Sequence, residues 1–363
     1  MRIDKSLPRT HLQHLAPYEL PSRSAAQGDE RLELDQNENF AGASERALVA
    51  ARQACDRAAR YPDPDATVLR RAIADLHDLE PERIVCARGA MELISLLATA
   101  YLEPGATSVT SELGYMYFRT ATELAGARAI QAPEPDFIVD PDAVTASVSD
   151  STRLVFVANP GNPTGSYLSK AALVNLRDAL PVAAILVIDE AYAEFVEPDK
   201  YQACFDITDR GNAVVLRTFS KIYGLAGMRI GWGYFPAAIA SLLRVVQQPN
   251  GVTAPSQAAA TAAVENQLHV EALRGRTIAT RDDFIESLRA IGLHPLPSQG
   301  NFVLLRFGSP AQASDADRHL RSDGIFVRGM SGYGLFDCLR ITLGTEVQMQ
   351  RVLGSLQHWV GAR

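Results

Sequence analysis

Only 4 of the 363 residues are cysteine, and no two of them stand close together in the chain. Disulfide frameworks and zinc sites draw on cysteines at short, regular spacings, so the sequence predicts neither, and no metal site is expected. A few scattered thiols are typical of a reducing compartment, which makes the cytoplasm the predicted location. The four positions are Cys55, Cys86, Cys204 and Cys338.

Long apolar runs and an excess of basic residues are missing as well. No window approaches the roughly 18 apolar residues of a membrane-spanning helix. The first residues, Met1–Lys5, include an acidic group and have no apolar segment behind them, so no signal peptide is expected. With 42 acidic and 35 basic residues, the formal net charge is -7. The sequence therefore argues against nucleic acid or an anionic membrane surface as the main partner.

The chain does contain an ordinary globular composition with alternating helix and strand patterns. Hydrophobic residues make up 47% and charged residues 21%, and 363 residues are enough for two domains. Three continuous apolar runs, 154–158, 184–188 and 214–216, are typical of strands buried on both faces of a parallel sheet. In such α/β sheets the ligand lies beyond the carboxyl ends of the strands, and polar residues follow each of these runs.

Weaker patterns predict further elements on both sides of these runs. The expected helices are 44–59, 67–77, 91–101, 118–124 and a long stretch over 256–290. The expected additional strands are 84–87, 108–110, 129–130, 302–305, 325–327 and 339–343.

The change of texture after about residue 250 indicates a second unit. Its long helix followed by separate strands is typical of a smaller α+β domain. We therefore divide the chain into an N-terminal arm over 1–43 that packs with the small domain, a large domain over 44–250 and a small domain over 251–363.

One lysine stands among small and hydroxylated residues in the run Thr218–Arg229. An amine that is partly desolvated and close to cations loses its proton more readily, and the free amine of Lys221 can then attack an aldehyde. Ser220 and Arg229 can hold a phosphate through a hydroxyl group and a guanidinium fork. The run therefore predicts a pyridoxal phosphate site, with a basic residue in a glycine-rich loop as the open alternative.

Three polar residues that follow the buried runs can complete such a site. Asp189 comes directly after 184–188, where a carboxylate is costly unless a cation pairs with it, and a protonated pyridine nitrogen is a suitable partner. Asn162 and Tyr192 can donate hydrogen bonds to the phenolate oxygen of the cofactor. The structural alternatives are a helix-capping aspartate, a turn asparagine and a half-buried tyrosine.

Two further features suit anionic groups. The segment Gly89-Ala90-Met91 opens a helix directly after a strand, and backbone N–H groups at a helix N-terminus bind phosphate, although every strand–helix turn offers such groups. Arg340 lies in a predicted strand of the small domain. Its guanidinium suits a substrate carboxylate or phosphate, with an interdomain ion pair as the alternative.

Seven segments together carry a resemblance to a known family. They are residues 34–39, 60–64, 159–165, 189–192, 218–229, 298–302 and 332–344. In these segments and their order, the chain resembles the fold-type I pyridoxal-phosphate aminotransferases, and most of all the histidinol-phosphate aminotransferase family. The resemblance implies an α/β fold with a mainly parallel seven-stranded sheet covered by helices, and a second, smaller α+β domain. It also implies transfer of an amino group between an amino donor and a 2-oxo acid, histidinol phosphate and 2-oxoglutarate by family.

The resemblance implies roles around the cofactor ring. Lys221 would form the Schiff base with pyridoxal 5'-phosphate and then move a proton between the substrate Cα and the cofactor. Asp189 would pair with the pyridine nitrogen. Asn162 and Tyr192 would hold the phenolate oxygen.

The resemblance also implies roles for residues that meet anionic groups. The cofactor phosphate would be held by Ala90, Met91, Ser220 and Arg229. Tyr61 would reach the phosphate of the neighbouring subunit, which implies a homodimer with shared sites. Arg340 with Arg328 would anchor the anionic group of the substrate, and Asn37 would also bind the substrate.

The chain departs from the family near the ring face and the substrate entrance. The aromatic residue that usually stacks on the ring falls, by position, on Gly114, and we expect Tyr115 to take its place. Phe40 stands where a proline is usual, and Met91 where a polar residue is common. Near the predicted hinge, the segment Pro249-Asn250-Gly251-Val252 lacks the aromatic residue that often follows this proline in the family. These changes bear on the substrate more than on the reaction.

Other functions stay open on the sequence alone. One is a transaminase of an aromatic or specialised-pathway amino acid, and another is a pyridoxal-phosphate-dependent decarboxylase or oxidase on the same fold. A regulator built on this fold would carry a DNA-binding module ahead of it. The residues before 34 are too few for such a module, and the net charge is negative.

Overall fold

The computed structural model describes residues 9–12, 15 and 31–362. Their helices are α1 (Glu45–Cys55), α2 (Thr67–His77), α3 (Ala90–Tyr101), α4 (Met116–Leu124), α5 (Pro141–Ala146), α6 (Lys170–Ala179), α7 (Ala237–Val246), α8 (Ala254–Val264), α9 (Gln267–Ala290), α10 (Pro310–Ser322) and α11 (Glu346–Gly361). Their strands are β1 (Leu32–Leu34), β2 (Ile84–Ala87), β3 (Thr107–Ser111), β4 (Arg128–Ala132), β5 (Thr152–Ala158), β6 (Ile185–Asp189), β7 (Ala213–Thr218), β8 (Gly231–Tyr234), β9 (His294–Pro295), β10 (Phe302–Arg306), β11 (Ile325–Met330) and β12 (Leu335–Thr342). Short 3₁₀-helices lie at Thr10–Leu12, Pro81–Arg83, Pro135–Phe137, Ala193–Phe195, Phe205–Arg210, Ala226–Met228 and Ser331–Tyr333.

The large sheet has seven strands in the order β2-β8-β7-β6-β5-β3-β4. Neighbouring strands are parallel except at β8, which runs antiparallel to β2 and β7. One face packs against α1, α2, α6 and α8, and the other against α3, α4 and α7. Strands covered on both faces must be apolar on both, which is why the three continuous runs form the centre of the sheet. The predicted α/β fold is confirmed.

A second sheet of five strands has the order β1-β11-β12-β10-β9. One of its faces packs against α9, α10 and α11, with Leu288, Leu320 and Val352 in this core. The opposite face carries Arg340 and Phe302, because side chains alternate along a strand. This is the smaller α+β unit that the sequence predicts.

Most predicted elements are present, with small differences at their ends. Helix α1 begins after Ser44, whose Oγ accepts a hydrogen bond from the Ala47 N–H at 3.3 Å, as the capping pattern predicts. The prediction of one long helix over 256–290 is wrong. Asn266, with φ −108° and ψ 59°, leaves the helical conformation and separates α8 from α9. Asparagine favours helix ends over helix interiors because its side chain competes for backbone hydrogen bonds.

Strand β8 was not predicted from the sequence. Its residues Gly-Trp-Gly-Tyr alternate glycine with aromatic residues, and glycine is a weak strand former. A Cβ at Gly233 would lie 2.6 Å from the Phe235 ring, so close packing excludes a side chain there. Tertiary packing therefore overrides the local preference of this segment.

The contacts of β1 and α8 can be compared with the predicted domain boundaries. Strand β1, within the predicted arm over 1–43, pairs in parallel with β11 of the small sheet. Helix α8 lies beyond the boundary at 250, yet Ala259 and Ala260 pack into the core of the large sheet. Much of the arm lies outside the described residues. The division at 43 and 250 stays a prediction.

The described part of the chain contains no helix long and apolar enough to cross a membrane. The polar residues that the sequence singles out after β5, β6 and β7 lie at one edge of the large sheet. There β5, β6 and β7 end side by side, with Ala158 opposite Asp189 and Asp189 opposite Leu216. The segment that follows β1 crosses from the small sheet to this edge, since Asn37 bonds to both Thr342 and Tyr192.

Candidate active site

Lys221 lies in the turn after β7, and its amine faces the segment that links β1 to α1. The Nζ donates hydrogen bonds to the backbone oxygens of Gln36 and Asn37, both at 3.1 Å. Burial, and after it the nearby Arg340 guanidinium, lower the pKa of the amine from 10.5 to about 7. A lysine with such a pKa has a large neutral fraction near pH 7, and the neutral amine is the nucleophile.

Asp189 is the last residue of β6 and is only 5% exposed. Its Oδ1 accepts a hydrogen bond from the Ala191 N–H at 3.1 Å. Burial raises the pKa of the carboxyl from 3.8 to about 7, in spite of that bond. The next residue, Glu190, forms an ion pair with Arg217 at 2.7 Å, whereas within residues 31–362 no ion pair reaches Asp189. This carboxyl suits a cationic ligand.

Tyr192 is buried just beyond the end of β6. Its hydroxyl oxygen accepts a hydrogen bond from Asn37 Nδ2 at 2.9 Å, and its ring packs edge-on against Phe302 with centroids 5.2 Å apart. The Lys221 Nζ lies 5.5 Å from the centre of the ring. Because the phenol oxygen accepts from Asn37, its own hydrogen can be donated into the site.

Arg340 in β12 orients Asn162. Its Nη1 donates to Asn162 Oδ1 at 2.5 Å, and its Nη2 donates to the backbone oxygen of Asp35 at 2.9 Å. The Asn162 carboxamide therefore has its Nδ2 available as a donor. Arg328 lies directly opposite Arg340 on β11. A guanidinium fork fits a carboxylate or a phosphate, so this pair of arginines suits an anionic ligand.

A second cationic position lies at the N-terminus of α3. A Cβ at Gly89 would lie 2.9 Å from Arg229 Nη2, which places this guanidinium against the first turn of the helix that begins at Ala90. Ser220 Oγ accepts from Thr218 Oγ1 at 3.0 Å and keeps its own hydrogen for donation. First-turn N–H groups, a guanidinium and a hydroxyl together are the donors that bind a phosphate.

Three predicted site residues lie apart from this cluster. Tyr61 is 89% exposed in the connection between α1 and α2. The side chain of Met91 is exposed in the first turn of α3, and its backbone N–H belongs to that first turn. The ring of Tyr115 packs edge-on against Phe118, with centroids 5.6 Å apart.

The backbone at Gly114 has no room for a side chain. A Cβ there would lie 2.3 Å from Thr110 Oγ1 and 3.0 Å from the backbone oxygen of Ser111. A cavity of ≈ 410 Å³ opens beside it, and Tyr115 and Tyr333 are among its lining residues. The aromatic residue usual in the resembling family is therefore sterically excluded from position 114.

The sequence did not single out Thr342 and Asn301 as site residues. Thr342 bonds to both the backbone and the side chain of Asn37, and Asn301 Nδ2 donates to the backbone oxygen of Asn37 at 3.2 Å. The alternation of side chains along a strand could have identified Thr342 from the sequence. Thr342 lies two residues after Arg340 and therefore on the same face of β12.

Comparisons with known proteins show which family the chain resembles. The family model for aminotransferase class I and II matches residues 29–356. The chain is 40% identical over 363 residues to the histidinol-phosphate aminotransferase of Maricaulis maris, covering 98% of this chain and 99% of that protein. It is 42% identical over 356 residues to the histidinol-phosphate aminotransferase of Rhodospirillum centenum, covering 98% of each.

The fold is also similar to a solved structure. The crystal structure of histidinol-phosphate aminotransferase from Sinorhizobium meliloti in complex with pyridoxal-5'-phosphate matches with a TM-score of 0.86 and 30% sequence identity, covering 91% of each chain. The resemblance read from the sequence is confirmed. From the extent of these matches, the chain belongs to the class I and II aminotransferases.

Proposed function

We propose that this aminotransferase uses pyridoxal 5'-phosphate to move the amino group of histidinol phosphate to 2-oxoglutarate. The proposal rests above all on the Lys221 amine and the Asp189 carboxyl, which share one buried site and both have pKa values of about 7. It is supported by the similar proteins, which are histidinol-phosphate aminotransferases, one of them with pyridoxal-5'-phosphate bound.

The residues present fit this cofactor at both of its ends. At the phosphate end, Arg229 and Ser220 offer donors beside the N-terminus of α3. At the ring end, the buried Asp189 suits a protonated pyridine nitrogen, because a cation there would offset the cost of burying the carboxylate. When bound, the cofactor supplies an aldehyde for the lysine amine and a ring that withdraws electrons from the substrate.

Each residue of the chain then has a physical task. Lys221 would hold the cofactor through Nζ, and the same atom, once free, would take and return the proton of the substrate Cα. Asp189 would keep the ring nitrogen protonated. Tyr192 donates its hydroxyl hydrogen while Asn37 holds its oxygen, and Asn162 donates from Nδ2 while Arg340 holds its Oδ1.

The two guanidinium groups opposite each other on β11 and β12 support an anionic substrate. A guanidinium fork binds carboxylate and phosphate with the same geometry, so Arg340 and Arg328 can serve both histidinol phosphate and 2-oxoglutarate in turn. Asn37 bonds to Thr342 on the same strand as Arg340, and a substrate contact from Asn37 is part of the proposal. Another amino acid as donor is the alternative that the substrate panel below tests.

The proposal includes a homodimer in the cytoplasm, with Tyr61 completing the phosphate site of the partner. The exposed position of Tyr61 supports this arrangement, since an 89% exposed tyrosine has its whole ring available to another subunit. Tyr115 is proposed as the residue that borders the cofactor ring, because position 114 has no room for a side chain.

The test is an assay for the amino product. Purified protein loaded with pyridoxal phosphate is incubated with histidinol phosphate and 2-oxoglutarate, and glutamate is measured by mass spectrometry. We expect glutamate only when both substrates are present. Lys221→Ala should abolish it, whereas Lys200→Ala, which removes a surface lysine paired with Glu197, should leave it unchanged.

Other products would change the conclusion. Release of carbon dioxide or consumption of oxygen without glutamate would assign a decarboxylase or an oxidase instead. If no donor in a broad amino acid panel yields glutamate, the proposed transamination is wrong. Cofactor capture by the free protein should also become faster as the pH rises through about 7, because the neutral amine is the nucleophile.

A further inference from the structure

Asn37 is held in an unusual backbone conformation where the two sheets meet. Its φ angle is 54°, in the left-handed region that asparagine tolerates better than most residues. Asn37 is 1% exposed, so its protein neighbours and not solvent determine how the side chain is oriented. The identity of those neighbours therefore decides what Asn37 offers to the site.

Thr342 is the neighbour that orients the Asn37 carboxamide. The Thr342 Oγ1 accepts a hydrogen bond from the Asn37 N–H at 2.9 Å and donates its own hydrogen to Asn37 Oδ1 at 3.1 Å. A hydroxyl group has a single hydrogen, and here it is used on Oδ1. The Nδ2 group is thereby directed toward Tyr192, whose hydroxyl oxygen accepts from it at 2.9 Å.

The same turn also bonds to Lys221. The backbone oxygen of Asn37 accepts from Lys221 Nζ at 3.1 Å and from Asn301 Nδ2 at 3.2 Å. Thr342 is the last residue of β12 in the small sheet, and Asn301 directly precedes β10 of the same sheet. Lys221 and Tyr192, in contrast, follow strands of the large sheet. One buried residue thus joins both sides of the site.

We propose that Thr342 is a positioning residue that orients Asn37 and, through it, makes Tyr192 donate its hydroxyl hydrogen into the site. This inference rests on the proposed function, because the acceptor of that hydrogen is the phenolate oxygen of the cofactor. A donor to this oxygen stabilises its anionic form and lowers the pKa at which the visible absorbance of the bound cofactor changes. Thr342 affects the cofactor without touching it.

The test compares two substitutions that differ in the hydroxyl group. Thr342→Val keeps the shape of threonine without the hydroxyl, and Thr342→Ser keeps the hydroxyl. The absorbance of the cofactor-loaded protein is titrated with pH. We expect Thr342→Val to raise the pKa of the spectral change by about 0.5 to 1 unit, and Thr342→Ser to titrate like the unmodified protein. Thr277→Val is the control, since the Thr277 hydroxyl donates to the backbone oxygen of Leu273 in its own helix, α9.

A double substitution shows whether the effect passes through the tyrosine. In a Tyr192→Phe background, Thr342→Val should add no further shift, because the donor has been removed. A shift of the same size in that background would overturn the proposal. So would a Thr342→Val protein that titrates like the unmodified one, or a Thr342→Ser protein that shifts as far as Thr342→Val.

Two further measurements separate the possible failures. If circular dichroism shows that Thr342→Val does not fold, Thr342→Ala replaces it in the same comparison with Thr342→Ser. If the unmodified protein shows no cofactor band that depends on Lys221, the proposed function itself fails. If that band is present and Thr342→Val leaves its pKa unchanged, only the role of Thr342 is wrong.

Discussion

Lys221 is a base and Asp189 is an acid, and their surroundings bring the pKa values of both to about 7. In both cases burial is the main cause, since it disfavours the charged form of a base and of an acid alike. The amine thereby becomes a nucleophile at neutral pH. The carboxyl becomes a group whose ionisation depends on a nearby cation, and a bound pyridine ring would supply one.

The raised pKa of Asp189 predicts a pH-dependent cost to stability. The folded carboxyl binds its proton more tightly than the unfolded one, so its contribution to stability is present below 3.8 and is lost as the pH rises through about 7. In cofactor-free protein, Asp189→Asn should therefore increase the free energy of unfolding at pH 8 by about 1 to 3 kcal/mol, and much less at pH 5. Urea unfolding at both pH values measures this.

A surface aspartate provides the control for that comparison. Asp75→Asn, an exposed change in α2, should alter the unfolding free energy little at either pH. Added pyridoxal phosphate should stabilise the unmodified protein more than Asp189→Asn, because the ring nitrogen loses its partner in the variant. Equal stability of Asp189→Asn and the unmodified protein at pH 8 would argue against a costly buried carboxylate.

At Gly114, the addition of a single Cβ atom is expected to lower the stability of the protein. Gly114→Ala should destabilise the protein by about 1 to 3 kcal/mol, because the new Cβ would lie 2.3 Å from Thr110 Oγ1. Thermal unfolding measures the change. Thr110→Ala in the same chain should recover part of the loss, and a Gly114→Ala protein as stable as the unmodified one would contradict the steric argument.

At the scale of elements, strand β12 shows how alternation divides one segment between two tasks. Leu339 and Ile341 face the core with α9, α10 and α11, while Arg340 and Thr342 face the active site. The periodicity of a strand made the first part readable from the sequence. It did not say what the polar face would touch.

Helix α9 ties the small sheet to the segment that follows Tyr192. Its Arg281 is fully buried and donates to the backbone oxygen of Phe195 and to Glu197, both at 3.2 Å. Arg281→Met should lower the free energy of unfolding by about 3 kcal/mol, because the buried carbonyl of Phe195 loses its donor and the Glu197 carboxylate loses one of its cationic partners. Denaturant unfolding monitored by circular dichroism measures the loss.

An exposed arginine supplies the matched control. Arg318→Met in α10 breaks a surface ion pair with Asp315, which should cost less than about 1 kcal/mol. If both substitutions lower the free energy of unfolding by the same amount, the burial of Arg281 does not add to its contribution to stability.

At the scale of the whole molecule, the proposed shared site predicts complementation between two defective chains. Tyr61→Ala should weaken cofactor binding, and Lys221→Ala should be inactive. A mixed dimer has one site that combines the intact Lys221 of one chain with the intact Tyr61 of the other. Unfolding and refolding the two variants together should therefore give more activity than the sum of the two variants measured separately.

If co-refolded mixtures stay at the sum of the separate activities while size-exclusion chromatography shows dimers, Tyr61 does not act across the interface. Tyr101→Ala, which removes a half-buried tyrosine at the end of α3, provides a comparison for the loss of an aromatic ring elsewhere in the chain.

Much of the fold was readable from local pattern. The apolar runs predicted β5, β6 and β7, and the spacing of small and polar residues predicted Lys221 and Asp189 at their ends. Strand β8 and the break at Asn266 were not readable, because packing between distant segments outweighs weak local preference there. The steric exclusion at Gly114 likewise depends on a neighbouring strand end.

By itself, the sequence determined the α/β class and the family and singled out Lys221 as the proposed catalytic lysine, because periodicity and short motifs are local properties of the chain. Only the tertiary structure decided how Asn37 meets Thr342, 305 positions away, and how burial brings the pKa of Lys221 to about 7. Distances between remote residues and the loss of water around a charge exist only after the chain has folded. Those two quantities set the reactivity of the site.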